Sequence, residues 1–294
     1  MRLPDVPLGT AEVRDLLTQA LGERYSLEGE VARGGMATVY LARDTATHQP
    51  VAVKVMHPRL ATALGAERFL REIEFVSSMD HPGIVPLLQS GNAGGVLYYI
   101  MPYVEGESLH DRLQREKRLP LNDALQITHD IAAALGYAHG RGVLHRDVKP
   151  ENILLAEGRA LVADFGLARA IGAADRRKLT ETGVMLGTIF YMSPEQLRAD
   201  RDLDQRADIY SLGCIAYEML TGEPPYSGRS LEDVISRIIR APVPSAQRLR
   251  SNVPAAVDRA VARALAKSVD ERFGTMQEFG AALGEGLAPG GPRS

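Results

Sequence analysis

His145-Arg146-Asp147-Val148-Lys149-Pro150-Glu151-Asn152 is the stretch from which the rest of the chain can be read. Within eight residues it places a base, a cation and a metal-ligand side chain. It follows an apolar helical pattern and runs into the apolar Ile153-Leu154-Leu155, and Asp164-Phe165-Gly166 begins twelve residues after Asn152. Asp147, Asn152 and Asp164 supply oxygen donors of the kind a hard cation such as Mg2+ prefers. A carboxylate base beside such donors suits a metal-assisted phosphoryl transfer.

A chain of 294 residues is long enough for two lobes around a cleft. Hydrophobic residues make up 45% and charged residues 24%, the balance of a soluble globular protein rather than a disordered one. A net charge of -3 gives no ground for nucleic-acid or anionic-membrane binding. The single Cys214 excludes an intrachain disulfide and a cysteine-based zinc site, and implies a reducing, cytoplasmic compartment. Neither an apolar leader nor a run of about 18 apolar residues occurs, so no signal peptide and no membrane span is expected from this sequence.

Residues 1–9, with Pro4, Pro7 and Gly9, read as a loose lead-in. Thr10 can cap a helix with the apolar stripe Val13, Leu16, Leu17, Ala20 and Leu21. Such a stripe packs on its own domain or docks a partner, the first being the commoner outcome. From Tyr25 the period changes: residues 25–31, 38–44, 51–56, 84–89 and 96–103 read as strands and 66–79 as a helix. Beyond Glu105-Gly106 the pattern is helical over 108–116, 121–141, 208–220, 231–240, 255–266 and 275–285, with a short strand at 161–164. Residues 171–192 lack periodicity and read as a long functional loop. The expected organisation is α+β: an extension with a short amphipathic helix over 1–24, a small antiparallel five-stranded lobe with one main helix over 25–104, a larger helical lobe over 105–285, and a flexible Gly/Pro tail over 286–294.

The strings His145-Arg146-Asp147 and Asp164-Phe165-Gly166 belong to the signature set of protein kinases. Through them the chain resembles that bilobal family over residues of about 25–284, most closely the bacterial, eukaryotic-like (Hanks-type) serine/threonine protein kinases. The family covers ATP phosphates with a G-x-G-x-x-G-x-V turn between two strands. Here the string is Ala32-Arg33-Gly34-Gly35-Met36-Ala37-Thr38-Val39, with the middle glycine in place, Gly35 beside it and alanines at both ends. Lys54, in Val51-Ala52-Val53-Lys54, resembles the lysine that holds the α- and β-phosphates, and Glu72 the helix glutamate that orients it. Glu74 is the competing carboxylate and reads as a surface charge. Segment 100–106 resembles the hinge between the lobes. The resemblance implies adenine held by the Pro102 carbonyl and the Val104 N–H, Met101 as gatekeeper, and Val39, Ala52 and Leu154 around the ring.

The same resemblance makes Asp147 the acceptor of the substrate hydroxyl proton and Lys149 the support of the γ-phosphate. Asn152 and Asp164 become the Mg2+ ligands, with Mn2+ as a substitute. His145 becomes structural, stacked with Phe165, Val76 and Leu87, and Asp208, in Asp208-Ile209-Tyr210-Ser211-Leu212-Gly213, braces the catalytic-loop backbone. Ser193-Pro194-Glu195 stands where the family has Ala-Pro-Glu, so Glu195 is expected to pair with Arg272 and Thr188 to hydrogen-bond near Asp147 and Lys149. Thr180 and Thr182 match positions of self-phosphorylation in related bacterial kinases, with Arg146 and Arg169 placed to receive the phosphate charge. Arg176-Arg177-Lys178 reads equally as a solvated loop or as a phosphate-binding cluster. His48, His57, His110, His129 and His139 show no metal-site spacing and read as surface or structural.

The implied function is ATP-dependent transfer of the γ-phosphoryl group to Ser or Thr hydroxyls of protein substrates, activated by autophosphorylation of the loop, with a homodimer allowing transfer between copies. The domain would be cytoplasmic, alone or as the cytoplasmic part of a membrane-anchored parent. The alternative is a catalytically weak pseudokinase acting as a nucleotide- or partner-binding module, for which the altered Gly-rich turn and Pro102 speak. A small-molecule phosphotransferase of similar fold would not be expected to carry the Ser193-Pro194-Glu195 loop with Arg272. Any one aspartate here would read as a turn or cap residue; the joint spacing of Lys54, Glu72, Asp147, Lys149, Asn152 and Asp164 argues for the enzyme.

Overall fold

The computed structural model describes residues 10–57, 66–165, 188–200 and 202–284. The chain divides into two units. Among the described residues, the first takes in 10–80 and Val85–Glu105, and the second His81–Ile84, Gly106–Phe165 and the residues from 188 on.

In the first unit, alternating or continuous apolar residues produce β1 (Tyr25–Arg33), β2 (Ala37–Asp44), β3 (Pro50–Met56) and β5 (Val96–Pro102), and a polar strand, β4 (Gln89–Ala93), joins them. They form one antiparallel sheet in the order β1-β2-β3-β5-β4. Because side chains alternate along a strand, the sheet has two distinct faces. Tyr40, Val53, Ile100, Tyr98 and Val96 share one face, against which α1 (Thr10–Leu21) buries Leu17 and Leu21. Burial of one such leucine contributes about 1.5–3 kcal/mol. The amphipathic stripe of α1 is thus consumed by its own sheet. Helix α2 (Ala66–Ser77) packs against β4 and buries Phe69, Ile73 and Val76.

The fourth strand begins at Gln89 rather than at residue 84. Pro86 has no N–H for a ladder, and Ile84 is apolar for another reason. Segment His81–Ile84 belongs to the second unit, where Ile84 bridges Val162 and the Gly83 carbonyl accepts the Val162 N–H at 2.8 Å. The actual strand, Gln-Ser-Gly-Asn-Ala, carries no apolar signal, and Gly91 lies so close under Tyr98 that a Cβ there would sit 2.5 Å from the ring.

The second unit is mainly helical. Helix α3 (Leu109–Glu116) starts at a reciprocal cap between Ser108 and Asp111. Helix α4 (Leu121–His139) buries Leu125, Ile127, Ile131, Ala134, Leu135 and Ala138. After α5 (Pro194–Arg198) comes α6 (Arg206–Thr221), which is buried along nearly its whole length and packs on α4. Helices α7 (Leu231–Arg240), α8 (Ala246–Leu249), α9 (Ala255–Ala264) and α10 (Met276–Gly284) complete the unit, with α10 against α4 and α9 against α6. A three-stranded sheet of β6 (Glu107–Ser108), β7 (Ile153–Ala156) and β8 (Arg159–Val162) brackets the stretch from which the sequence was read. Among the described residues no helix is long and apolar enough to cross a membrane.

Candidate active site

Residues 145–152 leave α4 and return into β7 through a single 3-10 turn, Pro150–Asn152. Asp208, buried on α6, gathers this stretch. Its Oδ2 accepts the His145 N–H at 2.9 Å and a hydrogen bond from His139 Nε2 at 2.8 Å; its Oδ1 accepts the Arg146 N–H at 2.8 Å. Burial alone would raise the Asp208 pKa, but the His139 hydrogen bond, the neighbouring histidines and the Arg146 N–H hold it below the ordinary value. The His145 ring accepts the Asp147 N–H on Nδ1 at 3.2 Å, so its Nε2 carries the proton donated to the Ala163 carbonyl at 2.9 Å. The same ring lies 4.6 Å from that of Phe165. His145 therefore spends both nitrogens and its face on structure.

Asp147 is the centre of a short polar network. Lys149 Nζ lies 2.9 Å from Asp147 Oδ2, and Asn152 Nδ2 donates to the same oxygen at 3.2 Å and to the Asp147 backbone carbonyl at 2.8 Å. Burial pulls the Lys149 pKa down, while Asp147 first, then Glu151 and Asp164, outweigh it and hold the ammonium charged. With its NH2 end committed to Asp147, Asn152 has the carbonyl Oδ1 as the end left to meet a cation. The Ala163 N–H donates to the Asn152 carbonyl at 2.9 Å, which brings Asp164 beside Asn152. A carboxylate and an amide carbonyl are the donor set of a hard cation, so these residues fit Mg2+. Arg146 and Asp164 both have φ of 65°, a region non-glycine residues rarely adopt and in which strain collects at functional sites.

Glu195 and Arg272 form a buried bidentate pair, Nη1–Oε1 at 2.7 Å and Nη2–Oε2 at 2.9 Å. Burial would raise the Glu195 pKa; the Arg272 guanidinium holds it below the ordinary range. Tyr191 donates to Glu218 Oε2 at 2.6 Å, and burial followed by that carboxylate pushes its phenol far up.

In the first unit, ladder register sorts the remaining candidates. Val39 pairs with Lys54 and Lys54 with Tyr99, while Ala52 pairs with Met101. Val39, Ala52, Lys54 and Met101 therefore share the sheet face opposite α1. Ala32 and Gly34 are exposed at the end of β1, and the turn through Gly34 and Gly35 closes with Gly34 N–H on the Ala37 carbonyl at 2.9 Å. Glu72 is half-buried on α2 whereas Glu74 is exposed. The Tyr103 N–H donates to the Pro50 carbonyl at 3.1 Å, so strand alternation turns the Pro102 carbonyl away from β3. Val104 follows, half-buried, and Leu154 is half-buried in β7 of the second unit. Thr180, Thr182, Arg169 and the cluster at 176–178 lie outside the described residues, as does the side chain of Thr188.

Two participants escape a reading of the sequence. His139 reads as a surface or structural histidine, and it is structural: its side chain is 3% exposed and bound to Asp208, a partner that no spacing announces. Gln196 has no motif of its own; its place just after Ser193-Pro194-Glu195 is the one signal available.

The family model described as protein kinase domain matches residues 25–280. The chain belongs to the protein kinase family. Within it the similarity runs to bacterial serine/threonine kinases. Serine/threonine-protein kinase PknB of Mycobacterium leprae is 41% identical over 270 residues, which cover 90% of this chain and 43% of that protein. Serine/threonine-protein kinase PknL of Mycobacterium tuberculosis is 38% identical over 279 residues, covering 93% and 68%. This kinase domain thus spans less than half the length of its PknB relatives. Among solved structures, the kinase domain of Mycobacterium tuberculosis PknI (a C20A mutant) matches with a TM-score of 0.71 and 32% identity, over 90% of this chain and 95% of that one. Protein kinases as a family use ATP with Mg2+ and act on proteins.

Proposed function

We propose that this domain transfers the γ-phosphoryl group of ATP to Ser or Thr hydroxyls of protein substrates. The observation that carries the reading is the Asp147 carboxylate, held by Lys149 and Asn152 beside a residue pair suited to a divalent cation. Asp147 takes the proton of the attacking hydroxyl, and Lys149 keeps a cation next to it for the transferring group. Asn152 and Asp164 would hold Mg2+, which would offset the negative charge of the phosphates. Lys54, oriented by Glu72, holds the α- and β-phosphates, and Arg146 with Arg169 answers a phosphate on Thr180 or Thr182. Val39, Ala52 and Met101 take the adenine, with backbone contacts at Pro102 and Val104. Phosphorylation between two copies of the chain, in the cytoplasm, completes the proposal.

What supports the reading is the joint presence of these groups together with the named serine/threonine kinases among the relatives. Incubation with labelled ATP, Mg2+ and a generic basic protein tests it. Label on the protein substrate or on the chain itself is the expected result. Binding of ATP analogues without any transfer would sink it in favour of the binding module.

A further inference from the structure

Arg146 sits one residue before the proposed base with a left-handed backbone, φ 65°. Its N–H is taken by Asp208, and its carbonyl accepts a hydrogen bond from Gln196 Nε2 at 2.9 Å. That carbonyl belongs to the peptide unit whose N–H is that of Asp147, and that N–H is bound by His145 Nδ1 at 3.2 Å. Both polar ends of the 146–147 peptide are therefore gripped by side chains, Gln196 at one end and His145 at the other. The orientation of this plane sets where the Asp147 side chain leaves the backbone.

We propose that Gln196 is a positioning residue for Asp147, acting through the Arg146 carbonyl; the inference rests on the kinase reading above. Gln196 is itself held. Its Oε1 accepts the Ser193 N–H at 3.0 Å, its own N–H meets Ser193 Oγ at 3.4 Å, and the preceding Glu195 is clamped by Arg272. One end of the amide caps α5 and the other end reaches the catalytic stretch. A carboxylate could serve the first task but not the second, since it has no N–H to donate. An unsatisfied carbonyl facing a negative charge would let the peptide rotate out of its left-handed well.

The test pairs Q196E, which keeps the cap and removes the donor, with S193A, which removes the Oγ half of the reciprocal cap and keeps the donor. Q196E is expected to lower kcat about tenfold with the KM for ATP within about twofold, and to speed amide exchange in a peptide covering Arg146 and Asp147. S193A is expected to lower Tm while keeping kcat and exchange in that peptide. Should Q196E fail to fold, Q196M, of similar length and uncharged, removes donor and Oε1 acceptor together, and only a change in kcat and exchange that S193A does not show counts for the inference. Wild-type kcat and exchange in the Gln196 variant would overturn the inference, and so would equal losses in both variants, which would leave Gln196 a helix cap. If the wild-type chain transfers no phosphoryl group, the kinase reading fails, and the exchange comparison still decides the role of Gln196.

Discussion

Arg272 donates two parallel hydrogen bonds to Glu195, at 2.7 and 2.9 Å, with both side chains buried. The guanidinium also reaches the Ala266 and Arg206 carbonyls and lies 4.9 Å from the Tyr210 ring. Removing one member of such a pair leaves a buried charge unmatched, at a cost of about 3–5 kcal/mol. Arg272→Met is expected to destabilise the second unit by that amount, seen as a lower urea midpoint with unchanged m-value. A midpoint within experimental error of wild type would show the pair to be dispensable.

The same pair sets an acid limit. Glu195 and Asp208 have folded pKa values below their ordinary 4.5 and 3.8. A carboxyl depressed in the folded state contributes stability that is complete above its unfolded pKa and is lost as pH falls through the folded one. Stability is therefore expected to hold from pH 7 to about pH 5 and to fall below about pH 4.5. In Glu195→Gln the fall should be shallower. Urea melts at stepped pH measure both slopes, and identical slopes would remove Glu195 from the account.

Much of this is legible in the sequence alone. Period-2 alternation marks β2, whose two faces differ in burial, continuous apolar runs mark β3 and β5, which are buried on both faces, and period-3.6 marks α4 because one side is buried. The polar Gln89–Ala93 strand was not legible, since an edge strand lying under Tyr98 needs a small residue at Gly91 rather than apolar ones. Motif spacing marks Asp147, Asn152 and Asp164. It cannot mark His139 or Gln196, whose contacts with Asp208 and Arg146 join residues 69 and 50 positions apart in the chain.

Gly106 illustrates a glycine that packing demands. A Cβ there would lie 2.1 Å from the Leu155 carbonyl oxygen, an atom of the β7 backbone that cannot swing aside. Gly106→Ala is expected to separate β6 from β7 and cost about 1–3 kcal/mol, the range for overpacking. Thermal melts of the variant measure it; a wild-type Tm would show that the approach is not tight.

Thr180→Ala combined with Thr182→Ala is expected to leave the loop unphosphorylated and to depress transfer activity, since no phosphate would be present for Arg146 and Arg169. Mass spectrometry of the purified wild-type chain should find phosphate on these threonines. Main sites elsewhere would remove this mode of control.

On the proposed reading, Asp147 serves transfer rather than nucleotide binding. The most direct measurement is the single-turnover transfer rate of Asp147→Asn beside the wild type, with the Kd of a non-hydrolysable ATP analogue determined in parallel. The rate in Asp147→Asn is expected to be lower by at least about a hundredfold, from loss of the general base, with the Kd nearly unchanged. A wild-type rate in Asp147→Asn would contradict that reading.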